Sequence, residues 1–312
     1  MLSSVEICAG GGGQALGLEQ AGFNHEALVE LEDIACQTLK CNRAHWNVVN
    51  GDLRGFNAKP YDGIDLLAGG VPCPPFSKAG KQLGSNDERD LFPEALRLVK
   101  ECRPQVVMLE NVKGLLDACF AHYRKALMDS LEKLGYYGEW QLFNASDFGV
   151  PQLRPRAILV ATRKNLWRHF AWPSEADYVE PHSVGDTLRD LMGKNGWSDA
   201  NIWAKSANAI APTLVGGSKK HGGPDLGPTR AKKAWAALNV DGRGLANEPP
   251  DVHFEGMPRL TTKMTARIQG FPDTWEFSGK KTAVYRQIGN AFPPPVAKTI
   301  GEKIYKLLSE NF

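Results

Sequence analysis

Short apolar runs bounded by Gly, Pro or Asp recur through the first 161 residues, at Val5 to Cys8, Ala27 to Leu31, Ile64 to Ala68, Val106 to Leu109 and Ile158 to Ala161. Segments of helical periodicity separate them. Runs this short read as strands, and strands joined through helices lie parallel in one sheet that the helices must cover. The segment from Asp90 illustrates the helical part: Asp90 is placed as N-cap, Pro93 falls in the tolerated first turn, and Leu91, Ala95, Leu98 and Val99 share a face. The expected fold is α/β and Rossmann-like: a mostly parallel sheet with helices on both faces and ligands beyond the carboxyl ends of the strands.

After Trp172 the texture changes to Gly, Pro, Asn, Lys and Trp with weak periodicity, as far as Pro258. Helical periodicity then returns, with Val296, Ile300, Ile304, Leu307 and Leu308 forming an apolar stripe after a proline run. These changes predict a catalytic domain over 1–171, a smaller irregular domain over 172–284 whose variable part is 172–258, and a segment 285–312 that packs back on the catalytic domain. No run approaches the roughly 18 apolar residues of a membrane span, and the N-terminus lacks a signal-peptide layout, so an intracellular, cytoplasmic protein is expected. The six cysteines all lie in the first 119 residues, without a CxxC pair. They read as reduced thiols, with no metal site.

The net charge of +2 conceals an uneven distribution: residues 151–250 carry 14 Lys and Arg against 9 Asp and Glu. Lysines and arginines concentrated there could follow a phosphate backbone, but taken by themselves they favour a solvated surface.

The first strand ends in Gly10-Gly11-Gly12-Gly13 and a helix follows, a turn in which no side chain blocks a nucleotide-like ligand. Glu30 ends the next strand, 18 residues past Gly12, where a carboxylate can accept from ribose hydroxyls, and Asp52 can accept from an adenine amino group. These groups point to an adenosine cofactor without separating a dinucleotide from S-adenosyl-L-methionine. The stretch IDLLAGGVPCPPFSKAGKQLG separates them, because it puts Cys73 between prolines at the end of a strand. Hydride transfer needs no such thiol, whereas a thiol held by a stiff loop suits nucleophilic catalysis.

That segment resembles the Pro-Cys catalytic loop of the cytosine-C5 DNA methyltransferases. Further stretches are similar to the family's motifs in the same order: EICAGGGGQALGLEQAGF, ENV at Glu110 to Val112, QLRPR at Gln152 to Arg156, RLTTKMTARIQGFPDTW from Arg259 and YRQIGNAFPPPVA from Tyr285. The resemblance covers nearly all of the chain outside 172–258. It departs at Cys8, where the family usually has Phe packed on the adenine, and at Met264, where a Glu is expected. It implies a methyltransferase fold that uses S-adenosyl-L-methionine and releases S-adenosyl-L-homocysteine, with a cofactor site of Cys8, Ala9, Gly10, Gly12, Gly13, Glu30, Leu31, Asp52, Leu53, Pro72, Asn290 and Ala291.

The chemistry then assigns roles. Carbon 5 of cytosine is a poor nucleophile, so the Cys73 thiolate adds to carbon 6 and pushes electron density into the ring. Glu110 shares a proton with ring nitrogen 3, which requires burial to suppress its ionisation. As the resemblance implies, Arg156 holds the cytosine carbonyl oxygen, Arg154 assists in the charge field, and Asn111 orders the Glu110 turn. The base must leave the duplex to reach the thiol, and the polar segment after Phe76 suits a loop closing on DNA, with Ser77, Lys78 and Gln82 as contacts. In the irregular domain Thr213 and Leu214 are similar to the family's Thr-Leu pair, and Lys219, Lys220, Arg230, Lys232 and Lys233 are candidate phosphate contacts. Double-stranded DNA is thus the expected partner, a companion restriction endonuclease would be encoded nearby without direct contact, and a monomer is expected. Enzymes of the same chemistry acting on tRNA carry Cys-Phe-Thr in this region, and 172–258 has none. A non-enzymatic relative would have lost Cys73, Glu110 or an arginine of the pair, and an oxidoreductase would leave the Pro-Cys loop unexplained.

Overall fold

The structure, a computed structural model, describes residues 2–72, 90–217 and 223–311. The chain forms two compact units, one of Met1–Phe143, Pro155–Ser174 and Ala297–Phe312, the other of Asn144–Arg154 and Glu175–Val296.

The first unit is built on a sheet of β1 (Ser3–Ile7), β2 (Asn24–Glu30), β3 (Val48–Asn50), β4 (Leu66–Gly70), β5 (Val106–Val112), β6 (Tyr136–Asn144) and β7 (Pro155–Arg163). Their spatial order is β3-β2-β1-β4-β5-β7-β6. The pairs β2–β3, β1–β2, β1–β4 and β4–β5 are parallel, and β7 runs antiparallel to β5. The sheet is therefore mostly parallel, as the alternation of strands and helices predicts. Strand order reverses between β1 and β4, so the carboxyl ends of these strands part to leave a crevice. Every residue of the apolar runs in β1, β4 and β5 is buried, as befits strands covered on both sides.

Connecting helices are α1 (Gly13–Gln20), α2 (Asp33–Asn42), α3 (Phe92–Cys102) and α4 (Ala121–Lys133). Phe92, Ala95, Leu98 and Val99 of α3 and Leu127 and Leu131 of α4 join Leu67, Val107, Leu109 and Leu159 of the sheet in one core. The helix begins at Phe92, later than an Asp90 cap would start it: the Asp90 carboxylate accepts from the Phe92 N–H at 3.0 Å and from the Tyr123 hydroxyl at 2.8 Å. Leu91 is consequently only half-buried.

The second unit contains α5 (Val184–Met192), α6 (Ala200–Ser206), α7 (Thr229–Ala236), α8 (Thr262–Ile268) and α9 (Lys281–Asn290), while α10 (Pro294–Asn311) begins there and continues into the first unit. Two tryptophans help hold its irregular backbone by donating their indole N–H to carbonyls, Trp203 to Asn239 and Trp197 to Phe254. At Met264, where the family pattern has Glu, the thioether sulfur lies 3.3 Å from the Thr261 N–H, and the Thr261 hydroxyl accepts from the Met264 N–H. A sulfur is a weak acceptor, so the reciprocal cap of α8 survives with one bond weakened. In the first unit, Gly301 of α10 sits on Ala21 and Leu18, with 2.8 Å between Ala21 Cβ and the position a Cβ would take.

The unit boundaries fall elsewhere than 171/172 and 284/285, because side chains of 144–154 are spent inside the second unit. Gln152 donates to Gln269 at 2.7 Å and accepts from the Leu214 N–H at 2.8 Å, binding this excursion to the end of α8 and to the Leu214 stretch.

Candidate active site

The turn after β1 has left-handed backbone at Cys8 (φ +54°), Gly10 (+55°) and Gly12 (+86°). Gly12 caps α1 from this conformation, and a Cβ at Gly10 would meet nothing nearer than the Cys8 carbonyl at 4.0 Å. The turn therefore presents bare backbone to the crevice. Glu30, buried at the end of β2, is fixed by two N–H groups: Gly10 donates to one oxygen and Glu32 to the other, each at 2.7 Å. Asp52 is exposed and tied to the Arg54 N–H at 2.9 Å and guanidinium at 3.0 Å. Leu31 is 60% exposed, while the Leu53 side chain is spent on the core. Ala9 is buried beside the turn and Pro72 is exposed after β4.

Electrostatics distinguish the ligand this crevice suits. Burial, reinforced by the charges of Glu30, Glu6 and Asp52, pushes the Cys8 thiol up to about 12. Residues 8–14 carry no basic side chain. The carboxylates around the turn and its lack of a basic side chain disfavour a pyrophosphate relative to a cation such as a sulfonium, while burial opposes charge of either sign. The residues present thus fit S-adenosyl-L-methionine better than a dinucleotide. Asn290 and Ala291 lie on the second unit, where the Ala291 carbonyl accepts from Arg154 and Gln269.

Sheet register builds the second constellation. Gly70 pairs with Glu110 across β4–β5, and Val112 pairs with Arg156 across β5–β7, so Glu110 and Arg156 are diagonal neighbours on one face. Arg156 Nε lies 2.7 Å from Glu110 Oε1, with each side chain 12% exposed. Burial works against the Arg156 charge, and Glu110 works for it. Arg156 also donates to the Pro155 carbonyl at 2.9 Å. Asn111, buried, donates to the Val71 carbonyl at 2.9 Å and accepts from the Val112 N–H at 2.8 Å. It thereby clamps the chain two residues before Cys73 to β5.

The two glycines ending β4 do different things. A Cβ at Gly70 would lie 3.3 Å from Glu110 Oε2, so its absence gives that carboxylate room. A Cβ at Gly69 would lie 2.4 Å from Ile7 Cγ1 and 2.6 Å from the Ile7 carbonyl oxygen, so this glycine serves strand packing and not ligand approach.

Arg154 is buried, and its guanidinium donates to the carbonyls of Leu214 (2.9 Å), Gly289 (2.7 Å) and Ala291 (3.0 Å), so its direct bonds are to main chain of the second unit. Leu214 is fully buried and so is no surface contact, and the Thr213 hydroxyl donates to the Leu153 carbonyl at 2.5 Å. Lys232 is paired with Asp225 at 3.0 Å, while Arg230 and Lys233 are exposed. Cys73, Ser77, Lys78, Gln82, Lys219 and Lys220 lie outside the described residues. Gln152 had no assigned role although the motif displays it; its buried amide ties three segments of the second unit together. Among the described residues no group of His, Cys, Asp and Glu is placed to hold a metal ion, and no helix is long and apolar enough to cross a membrane.

A family model for C-5 cytosine-specific DNA methylases matches residues 2–306. The chain is 56% identical over 312 residues to the type II methyltransferase M.NgoMIV of Neisseria gonorrhoeae, covering 99% of both chains. It is 55% identical to the type II methyltransferase M.NaeI of Lentzea aerocolonigenes, covering 99% of this chain and 76% of that one. Two solved structures share the fold, each with a TM-score of 0.69: a putative DNA modification methyltransferase encoded within an E. coli prophage and a DNMT2 mutant of Spodoptera frugiperda. Their identities are 24% and 19%, and they match 99% and 98% of this chain over 100% of their own length.

Proposed function

The chain belongs to the C-5 cytosine-specific DNA methylase family, and from that premise we propose that it is a type II modification enzyme that extrudes a cytosine from duplex DNA and methylates it through a covalent adduct on Cys73. The observation carrying this reading is the Glu110–Arg156 pair at 2.7 Å, beside Gly70. Cytosine presents its carbonyl oxygen and nitrogen 3 side by side on one edge. A guanidinium and a carboxyl group at this separation can grip both, Arg156 at the oxygen and Glu110 at the nitrogen.

The Cys73 thiolate forms a bond to carbon 6, and the electrons of the 5,6 double bond shift into the ring. Glu110 shares a proton at nitrogen 3, and Arg156 stabilises charge on the oxygen. S-adenosyl-L-methionine, when bound, supplies the methyl group to carbon 5 and leaves as S-adenosyl-L-homocysteine. Solvent water then takes the carbon 5 proton, the electrons of that C–H bond restore the 5,6 double bond, and the sulfur–carbon bond breaks to free the thiolate. Asn111 is a positioning residue, holding Val71 and hence the root of the Pro72–Cys73 stretch. Glu30 and Asp52 would hold the ribose and adenine, with Leu31 as apolar cover. Extrusion costs roughly a few kcal/mol of stacking and pairing, which contacts from Arg230, Lys233 and the basic stretch around Lys219 and Lys220 offset. The enzyme would act on the nucleoid in the cytoplasm as a monomer, alongside a restriction endonuclease of the same specificity.

Bisulfite sequencing of DNA from cells expressing the chain tests this reading and identifies the target. One short sequence should be protected throughout the genome, and Cys73→Ser should protect none. A genome with no added methylation, or a serine variant of undiminished activity, would refute it.

A further inference from the structure

Resting on that reading, we propose that Arg243 and Arg259 form a carboxylate-braced fork that reads guanine within the methylated sequence. Two stretches of the second unit run side by side, joined by the Asp241 N–H to the Pro258 carbonyl and the Ala246 N–H to the Leu260 carbonyl, both at 2.9 Å. They bring the two arginines to either side of Asp241, which is 9% exposed. Its carboxylate accepts from Arg243 Nε (2.9 Å), Nη2 (3.1 Å) and backbone N–H (3.0 Å), and from Arg259 Nε at 2.9 Å. Arg243 bonds hold that carboxyl well below the usual carboxylate range, so it stays ionised.

Both guanidinium groups are thus gripped along the Nε side while their side chains stay 78% and 47% exposed, at the lining of a cavity of about 850 Å³. The anion is inside and the cations project, so the far edge of each guanidinium is left open to solvent and to a ligand. Charge attraction alone does not explain the arrangement, since Asp241 cancels one of two positive charges that a phosphate contact would use. What the carboxylate supplies is orientation, removing rotamer freedom from two long side chains. Orientation matters most where a planar fork must meet two acceptors at once, as at O6 and N7 of guanine.

The test uses the purified full-length chain on short duplexes carrying the sequence that bisulfite mapping reveals. In each duplex one guanine is replaced by 7-deazaguanine, which lacks the N7 acceptor. For wild type, replacement at one or two particular guanines should lower kcat/KM by about 5- to 150-fold, the range for a bidentate contact. Arg243→Lys and Arg259→Lys keep the charge and lose the fork: each should abolish the penalty at its own guanine, lower kcat/KM on the unmodified site by a similar factor, and leave the salt dependence of binding unchanged. Asp241→Asn should blunt discrimination at both guanines with the arginines intact. The lysine variants, altered only at exposed side chains, decide the matter should the asparagine variant fold poorly. Lysine variants with wild-type discrimination at every guanine would overturn the fork, as would uniform weakening by Arg→Ala with a salt slope reduced by about 0.9 per residue, the mark of a phosphate contact. A wild type that methylates no DNA would remove the enzymatic reading and this inference together; discrimination unaltered in an active enzyme removes the inference alone.

Discussion

Arg154 and Arg156 stand two residues apart in one motif, yet their surroundings give them different work. The donors of Arg154 go to three main-chain carbonyls of the second unit, whereas Arg156 is spent on Glu110 in the sheet. Arg154→Ala would leave those carbonyls buried without their charged donor, costing at least about 3 kcal/mol. Thermal unfolding should show a fall of several degrees, whereas Arg156→Ala should abolish methylation with a smaller loss of stability; equal melting temperatures would contradict the division. The sequence displays both arginines but not this difference, because carbonyls at 214, 289 and 291 carry no side-chain signature. Thiols show the same dependence on surroundings. Burial pushes Cys8 and Cys102 up to about 12 and Cys36 to about 11. Raised values mean that almost no thiolate exists at pH 8, so alkylation of the native enzyme should mark exposed Cys41 and Cys119 and spare these three. Peptide mapping that found Cys8 modified would show the turn after β1 to be wrongly placed.

Among elements, the strands read most easily from sequence are those buried on both faces, because covering helices demand continuous apolar runs. β6 escapes such a reading: its sequence YYGEWQLFN mixes aromatic and polar residues, since it lies at the sheet edge and several of its side chains meet solvent. Gly138 within it gives no strand signal and is required all the same, as a Cβ there would fall 2.3 Å from the Val160 carbonyl oxygen. Gly69 in β4 has the same kind of role next to the reacting groups. Gly69→Ala would force β1 and β4 apart, a strain of about 1 to 3 kcal/mol, and would shift Gly70 against Glu110. The expected result is a lower melting temperature together with lost activity. A fully active, equally stable variant would contradict the close approach of Ile7.

At the scale of the whole molecule, the chain leaves the sheet unit after Phe143, returns at Pro155, leaves again after Ser174 and returns at Ala297. Periodicity shows the long excursion because its composition changes, but not the short one, whose membership is decided by Gln152 and Arg154. The charge is divided similarly: +2 overall includes a surplus of Lys and Arg over 151–250, so DNA binding should weaken steeply with salt, by about 0.9 in log–log slope for each phosphate contacted. In the proposed reaction all of this chemistry passes through one sulfur atom, that of Cys73. The most direct measurement is to incubate enzyme and S-adenosyl-L-methionine with a duplex carrying 5-fluorocytosine at the mapped position, then digest and weigh the peptides. Fluorine cannot leave carbon 5 as a proton does, so a denaturation-resistant complex should accumulate with its crosslink at Cys73, and none should form with Cys73→Ser. Normal methylation of the unfluorinated duplex with no trapped complex, or a crosslink at another residue, would contradict the account.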